Sequence, residues 1–342
     1  MEMLLCGGVK APGTIVSKSL SSRAVIDSSY GSDLDVAFAR IDQDTDGNYP
    51  ADYSAVTALS AKWKVNATSN KLPAADADAS DIVFDTKQYY LSRVSNNSSK
   101  LVGWYPDNAV AAGEISFTID GETDIMLTEE LEGDKKEVFG INASDAAKNK
   151  IFHFKHQLAL LKVLAYATDT DAAGVWGKIK SITLKDQKPT CKITLPATVA
   201  FEGEVADLDL VKKQVADDAD ITYDLELGIA DAPDDSTDPD AGETETPDAG
   251  DGEDATEPAE PKNNEVECGY AMVAPIAADG SLTLVVETEK GGSREVPVSV
   301  PTTGFQEGYT YDITLKFTAV TIEPKATITD WIEGEDIPEI IL

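Results

Sequence analysis

Short runs of β-branched, aromatic and alternating residues, each closed off by Asp, Gly, Asn, Ser or Pro, recur along the whole chain, and this rhythm constrains the fold more than any other feature. Ala37–Ile41, Ala61–Val65, Ile82–Phe84, Lys100–Tyr105 and Ile115–Ile119 carry it in the first half. Phe152 to Ala167, Gly177–Leu184, Cys191–Leu195, Ser281–Glu287, Tyr311–Phe317 and Ala326–Trp331 carry it in the second. Runs spaced by about 8–15 residues with turn signals between them predict antiparallel β-sandwiches. The apolar stretch Leu158–Leu164 reads as a buried strand because it runs into a turn at Thr168–Asp171. Short helices have room in places such as Tyr53–Leu59 or Ala146–Lys150. The fold class is therefore all-β, with two sandwich domains in tandem.

A chain of 342 residues is long enough for about two domains. The polar stretch Asn142–Asn149 between apolar blocks predicts the division, with one sandwich over 24–148 and the other over 149–342. Residues 231–262 hold acidic residues, Pro, Gly, Ala and Thr with almost nothing to bury, so a disordered acidic insertion is expected in the second domain. The chain carries 62 acidic against 28 basic residues, a formal net charge of −34. Such a surface repels phosphate backbones and anionic headgroups, which excludes nucleic acid as a partner. No apolar run approaches the length of a membrane-spanning helix.

Residues that could carry chemistry are few. The two histidines, His153 and His156, lie three apart, so along a strand they face opposite ways and cannot chelate one metal. One is expected in the core and the other near the surface. No nucleophile elbow, phosphate loop, dinucleotide motif or C-x-x-C is present, and no carboxylate pair stands out, so the chain does not read as an enzyme. Asp42, Asp44 and Asp46 before Gly47 match the opening of a calcium loop, but Tyr53 stands where its bidentate glutamate belongs. The reading is no cofactor, with Asp42, Asp44 and Asp46 as a candidate calcium set against a plain acidic hairpin. Cys191 and Cys268 fit either a disulfide or two separately buried thiols. Leu-rich residues running into Cys6-Gly7 resemble the end of a bacterial lipoprotein signal, with Leu5 where a small residue is usual, so Cys6 is the candidate lipidation site. The four tryptophans, Trp63, Trp104, Trp176 and Trp331, sit in strand-like runs and read as core.

Several strings in order resemble the fimbrillins, the type V pilins of Bacteroidia. They are Ser22-Arg23-Ala24 ahead of Leu34–Arg40, then Lys100–Pro106, then Asp124–Met126 ahead of Phe152–Ala159. Gly174–Leu184 and Gly308–Leu315 follow, leading to Ile328–Trp331. The resemblance implies transthyretin-like sandwiches and export as an outer-membrane lipoprotein precursor held to the membrane only through its lipid. It also implies cleavage between Arg23 and Ala24 by a trypsin-like maturation protease. Residues 1–23 are then a leader whose removable strand is expected at Thr14-Ile15-Val16. The tail 332–342, with Ile337, Ile340, Ile341 and Leu342, is a donor strand for the next subunit. The mature form belongs in an extracellular pilus, its partners other pilin subunits and an unnamed surface receptor. Arg40 is a second cleavable arginine, but it lies in a predicted strand and is expected to be protected. The competing reading is a non-polymerising surface lipoprotein or tip adhesin that binds glycan or protein; a secreted hydrolase is third.

Overall fold

The computed structural model of the chain describes residues 1–9, 26, 30–72, 79–91, 97–142, 145–211, 225–230 and 264–330. The N-terminal half supplies β1 (Leu5–Val9), β2 (Leu34–Asp42), β3 (Leu59–Trp63), β4 (Ser80–Phe84), β5 (Ser99–Tyr105), β6 (Glu114–Thr118), β7 (Met126–Leu127) and β8 (Leu131–Gly133). Then come β9 (Phe152–His156), β10 (Ala159–Ala167), the helix α1 (Thr170–Trp176), β11 (Ile179–Gln187), β12 (Thr190–Thr194), β13 (Thr198–Glu202) and β14 (Ala206–Asp209). The last are β15 (Gly228–Ile229), β16 (Val266–Val273), β17 (Leu282–Thr288), β18 (Gly292–Val298), β19 (Tyr309–Phe317) and β20 (Ile322–Asp330). The expectation of an all-β chain holds.

Strands in the N-terminal sheet run in the order β2-β3-β4-β1-β9-β7-β5-β8, and β2 pairs with β5 as well, so the sheet closes on itself. Closure works because β2 changes partner along its length. Leu34–Phe38 pairs with β3, and Ala37–Asp42 pairs with β5. Phe38 sits at that crossover with its ring edge-on to Phe84, Phe152 and Phe154 at 5.6, 5.1 and 6.2 Å. Gly103 opposite is required there, because a Cβ would stand 2.6 Å from the Phe38 ring. The sequence reading assigned Phe152–His156 to the second domain, but β9 pairs with β1 and β7, so the N-terminal sheet extends past the expected division at 148.

The C-terminal sandwich packs β15-β10-β19-β20, with β16 also on β10, against β14-β11-β17-β18. Its core alternates along each strand: Leu161, Val163 and Ala165 from β10, Tyr311, Ile313, Leu315 and Phe317 from β19, Leu282, Leu284 and Val286 from β17. β16 is buried on both faces. Tyr270 and Met272 join the N-terminal core while Ala271 and Val273 join the C-terminal one. Strand β12 pairs with β6 on one side and β13 on the other and places Cys191 and Ile193 in the N-terminal core, although both strands come from the second half of the sequence. Pairing is not purely antiparallel: β1–β9, β10–β19 and β10–β15 are parallel.

The strand Leu158–Leu164 expected to be buried is β10. The Thr168–Asp171 turn, however, opens α1: Asp169 caps it by accepting the Ala172 N–H at 2.8 Å, and Gly177 at φ 68° ends it. Trp176 lies on this helix rather than in a strand, buried, with its indole N–H donating to the Thr318 carbonyl at 2.6 Å. Trp63 and Trp104 are buried in strands as expected, and Trp331 lies outside the described residues. Ala146–Lys148 forms a 3-10 turn, whereas Tyr53–Leu59 forms turns without a helix.

Candidate functional site

The feature of this fold with the clearest functional content is β1. Leu5, Cys6 and Gly7 pair antiparallel with Ile82, Asp81 and Ser80 of β4. Gly7, Gly8 and Val9 pair parallel with Phe152, His153 and Phe154 of β9. β1 is thus the link that closes the N-terminal sheet between β4 and β9. Its inward side chains, with Met3 just ahead, are buried: Met3, Leu5 and Val9 lie in the core, while Leu4 is 72% exposed. Full burial of three such side chains contributes about 5–9 kcal/mol of apolar transfer. Gly7 is the point of closest approach: a Cβ would meet Ile82 at 2.8 Å and the Trp63 ring at 3.1 Å. Trp63 itself stacks on Phe154 at 4.8 Å and donates to Ser80 Oγ at 2.9 Å.

At the Met3 end the walls are polar. The Met3 N–H donates to the Gln88 carbonyl at 2.8 Å, and Glu2 pairs with Lys87 at 3.0 Å. Arg40, on β2, reaches the same place. Its Nε donates to Asp42 at 2.7 Å, one terminal nitrogen reaches Gln88 Oε1 at 3.4 Å and Met3 Sδ at 3.8 Å, and the other reaches Ser99 Oγ at 3.3 Å. The Arg40 side chain is 12% exposed, and its backbone pairs with Leu101 of β5.

Cys6 lies in β1, with its thiol half-buried. Burial pushes the thiol up, the backbone N–H of Ile141 opposes this, and Asp81 adds to it. Processing immediately ahead of Cys6 would remove Met3 and Leu5 from the core. Arg23, Ala24 and the Thr14–Val16 stretch lie outside the described residues, as do the insertion 231–262 and the tail residues Ile337, Ile340, Ile341 and Leu342. Within residues 1–23 the described strand is Leu5–Val9.

Asp42, Asp44 and Asp46 are not brought together. The Asp42 carboxylate is taken by Arg40. Asp44 Oδ1 accepts the backbone N–H groups of Asn48 and Asp46, both at 2.9 Å, which hold its carboxyl below the usual range. Among the described residues no group of three His, Cys, Asp or Glu side chains could hold a metal ion. What pins this loop is a tyrosine–glutamate–lysine network: Tyr53 Oη donates to Glu130 at 2.6 Å, Lys100 pairs with Glu130 at 2.7 Å, and its ammonium lies 4.9 Å from the Tyr49 ring centroid.

The histidines divide as expected, with His153 half-buried and His156 in the interior. Sequence reasoning missed the partner of His156: its Nδ1 lies 2.7 Å from Asp124 Oδ2, and both side chains are fully buried. The only available signal was an acidic residue leading into the apolar run Ile125–Leu127. Cys191 and Cys268 lie in different cores and are not bonded to each other, so the second of the two alternatives is the correct one. Burial pushes both thiols up to about 12.

The described residues form a nearly all-β fold whose N-terminal sheet is closed by β1. Three solved structures named for cell adhesion share this fold. One from Bacteroides uniformis has 12% identity and a TM-score of 0.53, over 96% of this chain and 98% of its own. One from Bacteroides ovatus has 14% identity and a TM-score of 0.51, over 98% and 99%. One from Parabacteroides distasonis has 8% identity and a TM-score of 0.51, over 98% of each. No curated protein matches in sequence. The profile of the fimbrillin-like family matches residues 52–331, and the chain belongs to that family. It is a fimbrial subunit rather than an enzyme, associated with other fimbrial subunits at the cell surface. No helix among the described residues is long and apolar enough to cross a membrane.

Proposed function

We propose that this chain is a pilus subunit that polymerises by donor-strand exchange. It is exported as an outer-membrane lipoprotein precursor acylated at Cys6. Hydrolysis of the Arg23–Ala24 peptide bond by a trypsin-like protease then releases the leader. Loss of the leader takes β1 out of the N-terminal sheet and leaves an apolar groove between β4 and β9. The tail 332–342 of another subunit fills that groove, restoring both the ladder hydrogen bonds and the core.

The observation that carries this reading is the position of β1 as the closing link of its sheet, in a segment that lies ahead of Arg23. Edge chemistry supports it. The edge strands β18 and β20 carry Pro297 and Pro324, which blunt further pairing, while β4 and β9 beneath β1 carry none. Strands without such protection need a permanent cover or a programmed replacement.

The test is the N-terminus and intact mass of the protein released from its native cell surface. A chain beginning at Ala24 is expected. A chain that still begins at an acylated Cys6 removes the groove and leaves the monomeric surface lipoprotein or tip adhesin.

A further inference from the structure

We infer that Arg40 and Lys87 form a carboxylate-recognition end of the β1 groove, and that they receive acidic side chains from the tail 331–342 of a second copy of this chain. The inference rests on the donor-strand reading and names the chemistry by which the groove selects its occupant.

In the described structure both cations contact the leading segment. Lys87 pairs with Glu2 at 3.0 Å, and Arg40 turns one terminal nitrogen to Met3 Sδ at 3.8 Å. A thioether is among the weakest acceptors a guanidinium can be given. Asp42 engages only the Nε of Arg40, at 2.7 Å, so the fork is left without a bidentate carboxylate. Removing the leader, in one step or two, takes away Glu2 and Met3 together: Lys87 loses its carboxylate, and Arg40 keeps Asp42, Gln88 and Ser99 but loses the thioether beside one terminal nitrogen. Each cation loses the contact it made with the leading segment, on a chain whose net charge is −34.

The tail complements this end. Twelve residues follow β20, and Glu333, Glu335, Asp336 and Glu339 are spaced so that an acid is never more than three residues from the next. Whichever way the tail runs, a carboxylate comes within reach of the Met3 end while one face of the strand, Ile337 with Ile341 or Ile340 with Leu342, is available for the apolar floor. Glu2 already makes this type of contact from within the chain. The cations also help one acidic chain accept another against their mutual repulsion.

The experiment uses the full chain cleaved after Arg23 and a synthetic peptide of residues 331–342, with binding read by native mass spectrometry and by displacement of the 1–23 fragment. Wild-type protein is expected to take up the acidic peptide. Arg40→Met and Lys87→Met together are expected to weaken uptake about tenfold or more. A peptide with its four acids changed to amides should lose as much on wild-type protein and lose nothing further on the double variant. Equal affinity of wild type and double variant for the acidic peptide overturns the inference while leaving donor-strand exchange intact. No uptake by wild type sinks donor-strand exchange itself, and the inference with it. Should Arg40→Met fail to fold, Lys87→Met, at a side chain 66% exposed, and the neutral peptide decide the matter without it.

Discussion

Leu4 and Leu5 offer a test of β1 built from two identical side chains one position apart. Leu5 is 1% exposed and belongs to the N-terminal core, whereas Leu4 is 72% exposed. Truncating Leu5 to Ala removes three buried carbons from a site walled by β4, where the chain has no slack because Gly7 is already pressed against Trp63 and Ile82. The cavity relaxes little, so the cost falls in the ordinary range for a buried leucine, about 2–5 kcal/mol. For a unit of this size that lowers Tm by about 4–20 °C. Leu4→Ala should stay within about 0.5 kcal/mol. Thermal and urea unfolding of the full, uncleaved chain measure both. The comparison cancels any general effect of altering the leading segment. If the two substitutions cost the same, β1 is not inserted in the sheet. If Leu4→Ala is the costly one, the strand is slipped by one residue, which turns every side chain to the other face. In either case the groove argument fails.

Three further outcomes are expected. Asp124→Ala leaves His156 buried without its carboxylate and should destabilise by about 3–5 kcal/mol, while replacing both with apolar residues should cost much less; a double-mutant cycle in urea decides, and additivity of the two single changes would contradict the pairing. Burial first, then Glu132 at Tyr49 and Glu130 at Tyr53, pushes these phenols above the ordinary tyrosine range; burial does the same at Tyr105 and pushes Tyr90 up to about 12. Their folded values exceed the unfolded value of about 10, so the stability they contribute is complete below that pH and is lost as pH rises above it, because the unfolded chain ionises first. Urea midpoints should fall between about pH 9 and about pH 11, with the share of phenolate absorbance belonging to these four appearing only on unfolding; a flat profile contradicts the burial. Finally, Cys191 and Cys268 should resist a thiol reagent in the native protein and react once it is denatured, giving a full count of three thiols with Cys6; one thiol in the denatured chain would mean a disulfide instead.

Much of the fold could be read from local pattern. β-branched and aromatic runs bounded by turn residues located most strands because period-2 alternation and turn chemistry act within a few residues. α1 was missed for a related reason: Asp169 is equally good in a turn and as a helix cap, and which role it takes depends on burial of Trp176 against Phe317, 5.7 Å away and far along the chain. The calcium spacing was genuine as a string, yet Arg40 claims Asp42 and the backbone claims Asp44, and neither competitor is visible in a motif.

By itself the sequence determined the all-β class, the acidic surface, the absence of enzyme motifs and a resemblance whose family assignment the profile match bears out. These depend on composition, short-range periodicity and the order of local strings. Only the tertiary structure decided that Leu5–Val9 is inserted between β4 and β9, that β9 belongs with the first sheet, that β12 and β13 return to the N-terminal core, and that Asp124 meets His156. Each of those joins residues distant in sequence. Which distant strands pair is settled by shape and burial summed over a whole core, and no local pattern of residues encodes that sum.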